Sequence, residues 1–150
     1  LRNDLMTVGG DNAFSDTTQL DLWGGELQFN GRDQEFGTLM LTGDAMINFA
    51  TNLVVNPGDG SQLTFLDSSG EAWDGTAMLT LTNFVEGRDS IYVGSNGLTS
   101  TQLDQIYFVD QDETAQLTGD GFVTPIPEPV TFGMLVGGLA GMFFLRRMRR

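Results

Sequence analysis

From residue 18 onward, apolar side chains fall two apart in short runs. The runs are TQLDLW (18–23), ELQFN (26–30), GTLMLTG (37–43), AMINFA (45–50), NLVVN (52–56), SQLTFLD (61–67) and AMLTLTNF (77–84). A two-residue period places every apolar side chain of a run on one face of a β-strand. Turn formers separate the runs: Gly24-Gly25, Asn30-Gly31, Gly43-Asp44, Pro57-Gly58-Asp59-Gly60 and Ser68-Ser69-Gly70. These residues accept the backbone angles that reverse a chain. The runs also resemble one another. LDLWGGELQFN and LMLTGDAMINF both read apolar-x-apolar-x-Gly-x-x-apolar-x-Phe, which sets Leu20 over Leu39 and Phe29 near Phe49. A loose period of about twenty residues, made of short strands and Gly/Asp turns, predicts coils of a parallel β-helix in which each coil stacks on the last. An antiparallel β-sandwich is the alternative, because the same turns suit hairpins.

From Asp89 the pattern changes. The spacing predicts a strand over 90–94 and another over 105–109. Between them, Thr99 and Gln102 have the spacing of a capping box, and Leu103 and Ile106 form an apolar i, i+3 pair. One or two helical turns are expected there, packed across the end of the sheet as a C-terminal cap. The chain begins with Leu and shows no charged-then-apolar leader, so a processed or partial chain with an open first coil is expected.

The last segment differs in kind. Val130 to Leu145 reads VTFGMLVGGLAGMFFL, without a charge. As a helix it would span about 24 Å, against the ~30 Å of a bilayer's hydrocarbon core. Snorkelling arginines and a thinned bilayer close that gap. Arg146, Arg147, Arg149 and Arg150 follow at once, and clustered arginine beside an apolar run marks a cytoplasmic flank. One C-terminal transmembrane helix is therefore predicted, with the body on the outer side. Gly133, Gly137 and Gly141 fall on one face of it, where a second helix can approach closely. Before it, Pro125, Pro127 and Pro129 alternate with other residues, giving an extended, accessible spacer. Three regions result: a β-rich domain over 1–124, a Pro-rich linker over 125–129, and the helix with its basic tail over 130–150.

Charge sharpens this division. The chain has 20 acidic and 7 basic residues, a net charge of −13. Four of the basic residues form the tail, so the body keeps only Arg2, Arg32 and Arg88. Such a body repels nucleic acid and anionic lipid. Cys, His and Lys are all absent. That removes disulfides, thiolate- or imidazole-ligated metals, Ser-His-Asp and Cys-His nucleophiles, and Schiff-base lysines.

Taken together, Pro127-Glu128-Pro129, the apolar run and the terminal arginines resemble the PEP-CTERM sorting signal of Gram-negative bacteria. The resemblance implies Pro127, Glu128 and Pro129 as the recognition motif and exosortase, a membrane peptidase, as partner. The protein would be its substrate. The body, over roughly 18–126, is similar to exported proteins with autotransporter-like β-helical repeats, which implies a β-rich surface protein and no reaction.

The expected function is that of a non-enzymatic, exported surface or extracellular-matrix protein, structural or adhesive. It is expected in the inner membrane through residues 130–145 during transit, then at the cell surface or outside the cell. Exopolysaccharide and other matrix components are candidate partners, and no cofactor, metal or catalytic residue is expected. The alternative is a carbohydrate-active β-helix enzyme. Its candidate carboxylates are Asp33 with Glu35, or Asp110 with Asp112, each pair on one face of a strand, and Trp23 and Trp73 would stack on sugar. Asp110-x-Asp112-Glu113 opens like a calcium loop, but Thr114 and Ala115 stand where a ligand and the turn glycine belong.

Overall fold

The computed structural model describes residues 5–50 and 60–127. Within them the protein is mainly β, with a single turn of α-helix. Ten strands precede the last two: β1 (Leu5–Thr7), β2 (Leu20–Leu22), β3 (Glu26–Gln28), β4 (Gln34–Glu35), β5 (Leu39–Leu41), β6 (Ala45–Asn48), β7 (Gln62–Thr64), β8 (Leu79–Thr82), β9 (Ser90–Tyr92) and β10 (Ile106–Phe108). Helix α1 (Ser100–Leu103) lies between β9 and β10, and β11 (Glu113–Leu117) and β12 (Val123–Pro125) close the series.

The strands form three sheets: a seven-stranded mixed sheet ordered β1-β3-β6-β8-β10-β11-β12, a two-stranded sheet β2-β5, and a three-stranded sheet β4-β7-β9. Every pairing among β1 to β10 is parallel. Only the last two ladders, β10-β11 and β11-β12, are antiparallel. The chain visits the sheets in a fixed order, from two-stranded to seven-stranded to three-stranded, in β2-β3-β4 and again in β5-β6-β7.

The expected register is present. Leu20 pairs with Leu39, and the amide of Phe29 donates to the carbonyl of Asn48, next to Phe49. The spacing then drifts. Glu26 pairs with Met46, Met46 with Thr80, and Thr80 with Tyr107, so the interval opens from 20 residues to 34 and closes to 27. The wide interval contains the run 52–56, which lies outside the described residues, and the loop over 66–77.

That loop takes the place of a third strand beside β5. The amides of Leu66 and Asp74 donate to the carbonyls of Gly37 and Leu41, and the Trp73 indole donates to Leu39. Above it stands α1, with the expected capping box between Thr99 and Gln102 intact. The helix meets β11 near the end of the seven-stranded sheet, and its polar side chains also serve the loop. Gln102 donates to the carbonyls of Ser68 and Glu71, and Gln105 to those of Asp74 and Ala77, so both buried amides satisfy the irregular loop below. The end of the seven-stranded sheet is formed by β11 and β12, which the residue pattern did not reveal. β12 also extends to Pro125, which is buried and paired with Ala115, so the folded body takes in the first residue of the expected linker.

The core is one continuous cluster with two files of aromatic rings. In the first, Phe29, Phe49, Phe84 and Phe108 follow one another with centroids 6.4, 5.2 and 4.9 Å apart. In the second, Phe14, Phe36 and Phe65 lie 5.3 and 5.2 Å apart, and Phe36 meets Phe29 edge-on. Every ring but Phe14, which lies in the bend between β1 and β2, comes from a different parallel strand or its flank, so the files tie neighbouring strands together. Backbones approach closely at the corners. A Cβ on Gly60 would sit 1.8 Å from the carbonyl oxygen of Arg88, which leaves glycine as the only residue that fits.

If the ring files hold the stack, Phe49→Ala should cost about 3–5 kcal/mol of unfolding free energy. Leu66→Ala, at an exposed apolar position, should stay within about 0.5 kcal/mol. Urea unfolding of the two variants checks this, and equal costs would defeat it.

Candidate functional site

The last strands are where chemistry concentrates among the described residues. β8 ends at Thr82, and the chain turns through Asn83, whose φ of 57° is left-handed, into the tight turn Val85–Asp89. Asp89 holds this turn. Its side chain is fully buried, and it accepts from the amides of Ser61 at 2.9 Å and Val85 at 2.8 Å. It also accepts from the Arg88 guanidinium at 2.7 and 3.1 Å. Arg88 in turn donates to the carbonyl of Asn83, and the Ser61 hydroxyl accepts from the Gly31 amide in the layer below. One carboxylate thus fastens three successive layers at a corner. Four hydrogen bonds, two of them from the Arg88 guanidinium, offset the cost of burying its charge.

Beyond this corner the chain forms β10, turns through Val109–Asp112 with Asp112 left-handed at φ 58°, and returns as β11. Asp112 accepts from the phenol of Tyr107. That bond holds the phenol proton, and the Tyr107 pKa lies above its ordinary 10.0, chiefly for this reason. Open clefts separate the Val85–Asp89 turn from β11 and β12. One, of about 490 Å³, runs past Gln62, Glu86, Ser90, Asp120 and Phe122. Another, of about 320 Å³, passes Glu86, Gln111, Glu113 and Gln116 and ends at Pro125 and Pro127.

The chain leaves the body here. The Ile126 amide donates to Thr114, the Gln116 side chain donates to the carbonyl of Pro125, and Ile126 and Pro127 are exposed. Proline carries no amide hydrogen, and Pro125 lies in the outermost strand, where a missing donor breaks no ladder. Of the expected sorting residues, Pro127 is therefore placed at the rim of the acidic clefts. Glu128, Pro129, Gly133, Gly137, Gly141, Arg146, Arg147, Arg149 and Arg150 lie outside the described residues, as does the apolar run 130–145. Among the described residues no helix is long and apolar enough to cross a membrane.

The candidate carboxylates occupy ordinary structural posts. Asp33 precedes β4 and accepts from the Gln62 amide, and Glu35 is exposed on β4. Asp110 and Asp112 sit in the β10–β11 turn, not on a strand as anticipated, because the chain reverses after Val109. Asp67 and Asp74 cap their own turns. Asp67 accepts from the hydroxyl and amide of Ser69, and Asp74 from the amide and hydroxyl of Thr76; both pKa values fall below 3.8 for that reason. Trp23 is half exposed, and Trp73 is fixed by its bond to Leu39. Among the described residues no three acidic groups converge on a point that would hold a metal ion.

Sequence reasoning missed two features. The Arg88-Asp89 clamp had a signal, since Arg88 is one of only three arginines in the body. The second is an exposed aromatic pair, Tyr92 and Phe122, with centroids 5.3 Å apart. It had none, because it forms across an antiparallel bridge between residues thirty apart. No protein-family profile matches the chain, and no curated protein or solved structure shows significant similarity to it.

Asp89→Ala leaves two amides and a guanidinium without their partner, and should lower the unfolding free energy by about 3–5 kcal/mol. Chemical denaturation reads this directly, and a loss under 1 kcal/mol, the range of surface ion pairs, would show that the corner holds without it. A separate expectation concerns alkaline pH. Tyr107 has a raised folded pKa, so its contact with Asp112 stabilises the protein below pH 10.0 and fades as pH rises through the folded value. Asp112→Asn should therefore bring phenolate absorbance up at lower pH than in the unaltered protein, and unchanged titration curves would count against the contact.

Proposed function

We propose that this chain is an exported surface or matrix protein whose body is a parallel β-solenoid and whose C-terminal segment is a sorting signal. Supporting the solenoid are the unbroken parallel pairings from β1 to β10, the fixed order in which the chain visits the three sheets, and the ring files that run through the interior. A rod of this kind needs no reactive group to act, and the body serves as scaffold or adhesin rather than by catalysis.

The observation that carries the sorting reading is the position of Pro127. It stands exposed immediately after the outermost strand, so the motif Pro127-Glu128-Pro129 follows directly from a free edge of the body. In this reading residues 130–145 cross the inner membrane, the glycine face at 133, 137 and 141 meets a second helix, and the four terminal arginines stay in the cytosol. Exosortase would cleave near the motif and release the acidic body outward. Only Ile126 to Pro129 separate β12 from the apolar run, a reach of about 13 Å when extended. The body is then held close against the outer surface of the membrane until it is cut.

Mass spectrometry of the exported protein tests this. The expected mature form ends near residues 127–129 and lacks the arginine tail. A mature form that still ends at Arg150 rejects processing, and leaves an anchored outer-face protein.

A further inference from the structure

The outward face of β4-β7-β9 carries a column of side chains that the scaffold does not use. Gln34, Leu63 and Ile91 pair in register and point into the core. Their neighbours Glu35, Thr64 and Tyr92 therefore align on the outside, one per strand, and an antiparallel bridge adds Phe122 beyond Tyr92. Adjacent strands lie about 4.8 Å apart, so the column extends roughly 14 Å. Asp33, Gln62 and Ser90 form a second column beside it. Tyr92 is 38% and Phe122 40% exposed, and the rings meet edge to face. The cleft of about 490 Å³ opens beside Phe122, with Gln62, Ser90, Thr118, Asp120 and Thr124 in its wall.

We propose that this face binds a strand of uncharged polysaccharide, laid along the column from Glu35 to Phe122. Each feature answers one feature of a neutral hexose. The apolar C–H face of a pyranose ring covers an exposed aromatic ring, which returns the hydrophobic surface that Tyr92 and Phe122 now show to water. Vicinal hydroxyls donate to carboxylates and exchange bonds with amides and hydroxyls. Glu35, Thr64, Gln62 and Ser90 supply those groups in two rows, and Asp120 supplies one in the cleft wall. Hydroxyl-rich, flat ligands match a flat strand face, which offers repeated contacts and no enclosed pocket. The charge excludes the other glycans. Glu86 and Asp120 line the cleft beside Phe122, Asp33 and Glu35 lie at the far end of the column, and Arg88, which also lines the cleft, is committed to Asp89. A uronate, sulfate or phosphate polymer would meet repulsion here. This inference rests on the adhesive reading of the body but not on its sorting.

Affinity electrophoresis tests it with the full chain, held in a detergent that lacks a sugar headgroup so that the detergent does not compete. Native gels are cast with hydroxyethylcellulose, dextran or galactomannan, and a separate gel with alginate. At least one neutral polymer should retard the protein, and alginate should not. Phe122→Leu keeps an apolar side chain but removes the ring, and should weaken retardation about tenfold; Phe122→Trp should preserve it. Migration unchanged in all three neutral polymers, equal retardation by alginate, or Phe122→Leu binding as well as the unaltered protein would each overturn the proposal. Sorting is read separately from the mass of the exported form, so failure of one leaves the other standing.

Discussion

The fold depends on one constraint: in parallel register, like must stack on like. A parallel ladder sets each inward side chain above its counterpart in the neighbouring strand, so a ring in one layer presents its surface to a ring in the next. Phe49 follows Phe29 in this way and Phe65 follows Phe36, each one residue past paired positions. Phe84 joins after the left-handed Asn83, Phe108 meets it from opposite Leu81, and Phe14 enters from the bend before β2. A shift of one residue would turn the rings that stand in these ladders outward. The files therefore fix the register as well as filling the core, which matters in a chain without disulfides and with strands of only two to five residues. Strands so short have little pairing energy of their own, and burial between the layers supplies the rest.

Polar side chains deal with what the ladders leave open. Wherever the chain leaves a strand, backbone groups lose their partners, and buried side chains replace them. Gln34 bonds the Gly10 carbonyl and the Ala13 amide, Ser68 accepts from Leu39, and Gln102 and Gln105 serve four carbonyls of one loop. Asp89 does the same at the opposite corner, with a charge that Arg88 balances. These groups supply partners to the backbone of the described loops while the spacing between paired residues varies from 20 to 34. The variable period and the buried amides are thus two sides of one arrangement.

This explains which parts of the fold were legible in the residues. The strands of the first layers could be read because their apolar alternation is local and their repeat is close to constant, so Leu20 over Leu39 emerged directly. The capping box at Thr99 and Gln102 was equally local. What Gln102 reaches was not, because its partners lie some thirty residues back in an irregular loop. β11 and β12 escaped notice because ETAQL and VTP contain few apolar side chains and one proline. They are strands by virtue of their place at the edge of a finished sheet. The same holds for the site: the motif at Pro127 can be read as a string, whereas the Tyr92–Phe122 pair exists only after folding brings β9 beside the last turn.

The end of the stack also bears on how the body would sit before a membrane. A solenoid with a bare terminal strand offers a row of open amides and carbonyls to any other chain. Here β11 runs antiparallel to the stack, and β12 turns back into the stack's own direction and ends in a proline that presents no amide. The outer edge therefore lacks one donor at the point where β12 ends. Asp110 and Asp112 in the β10–β11 turn and Glu113 at the start of β11 lie at the end of the hairpin where Ile126 bonds Thr114. With a tether of about 13 Å and a Debye length near 8 Å in physiological salt, these carboxylates lie within reach of the lipid headgroups in the proposed orientation. Anionic lipid would push them away. The terminal hairpin therefore closes the sheet, and under the proposed sorting it would also set an acidic turn against the surface from which the body is cut.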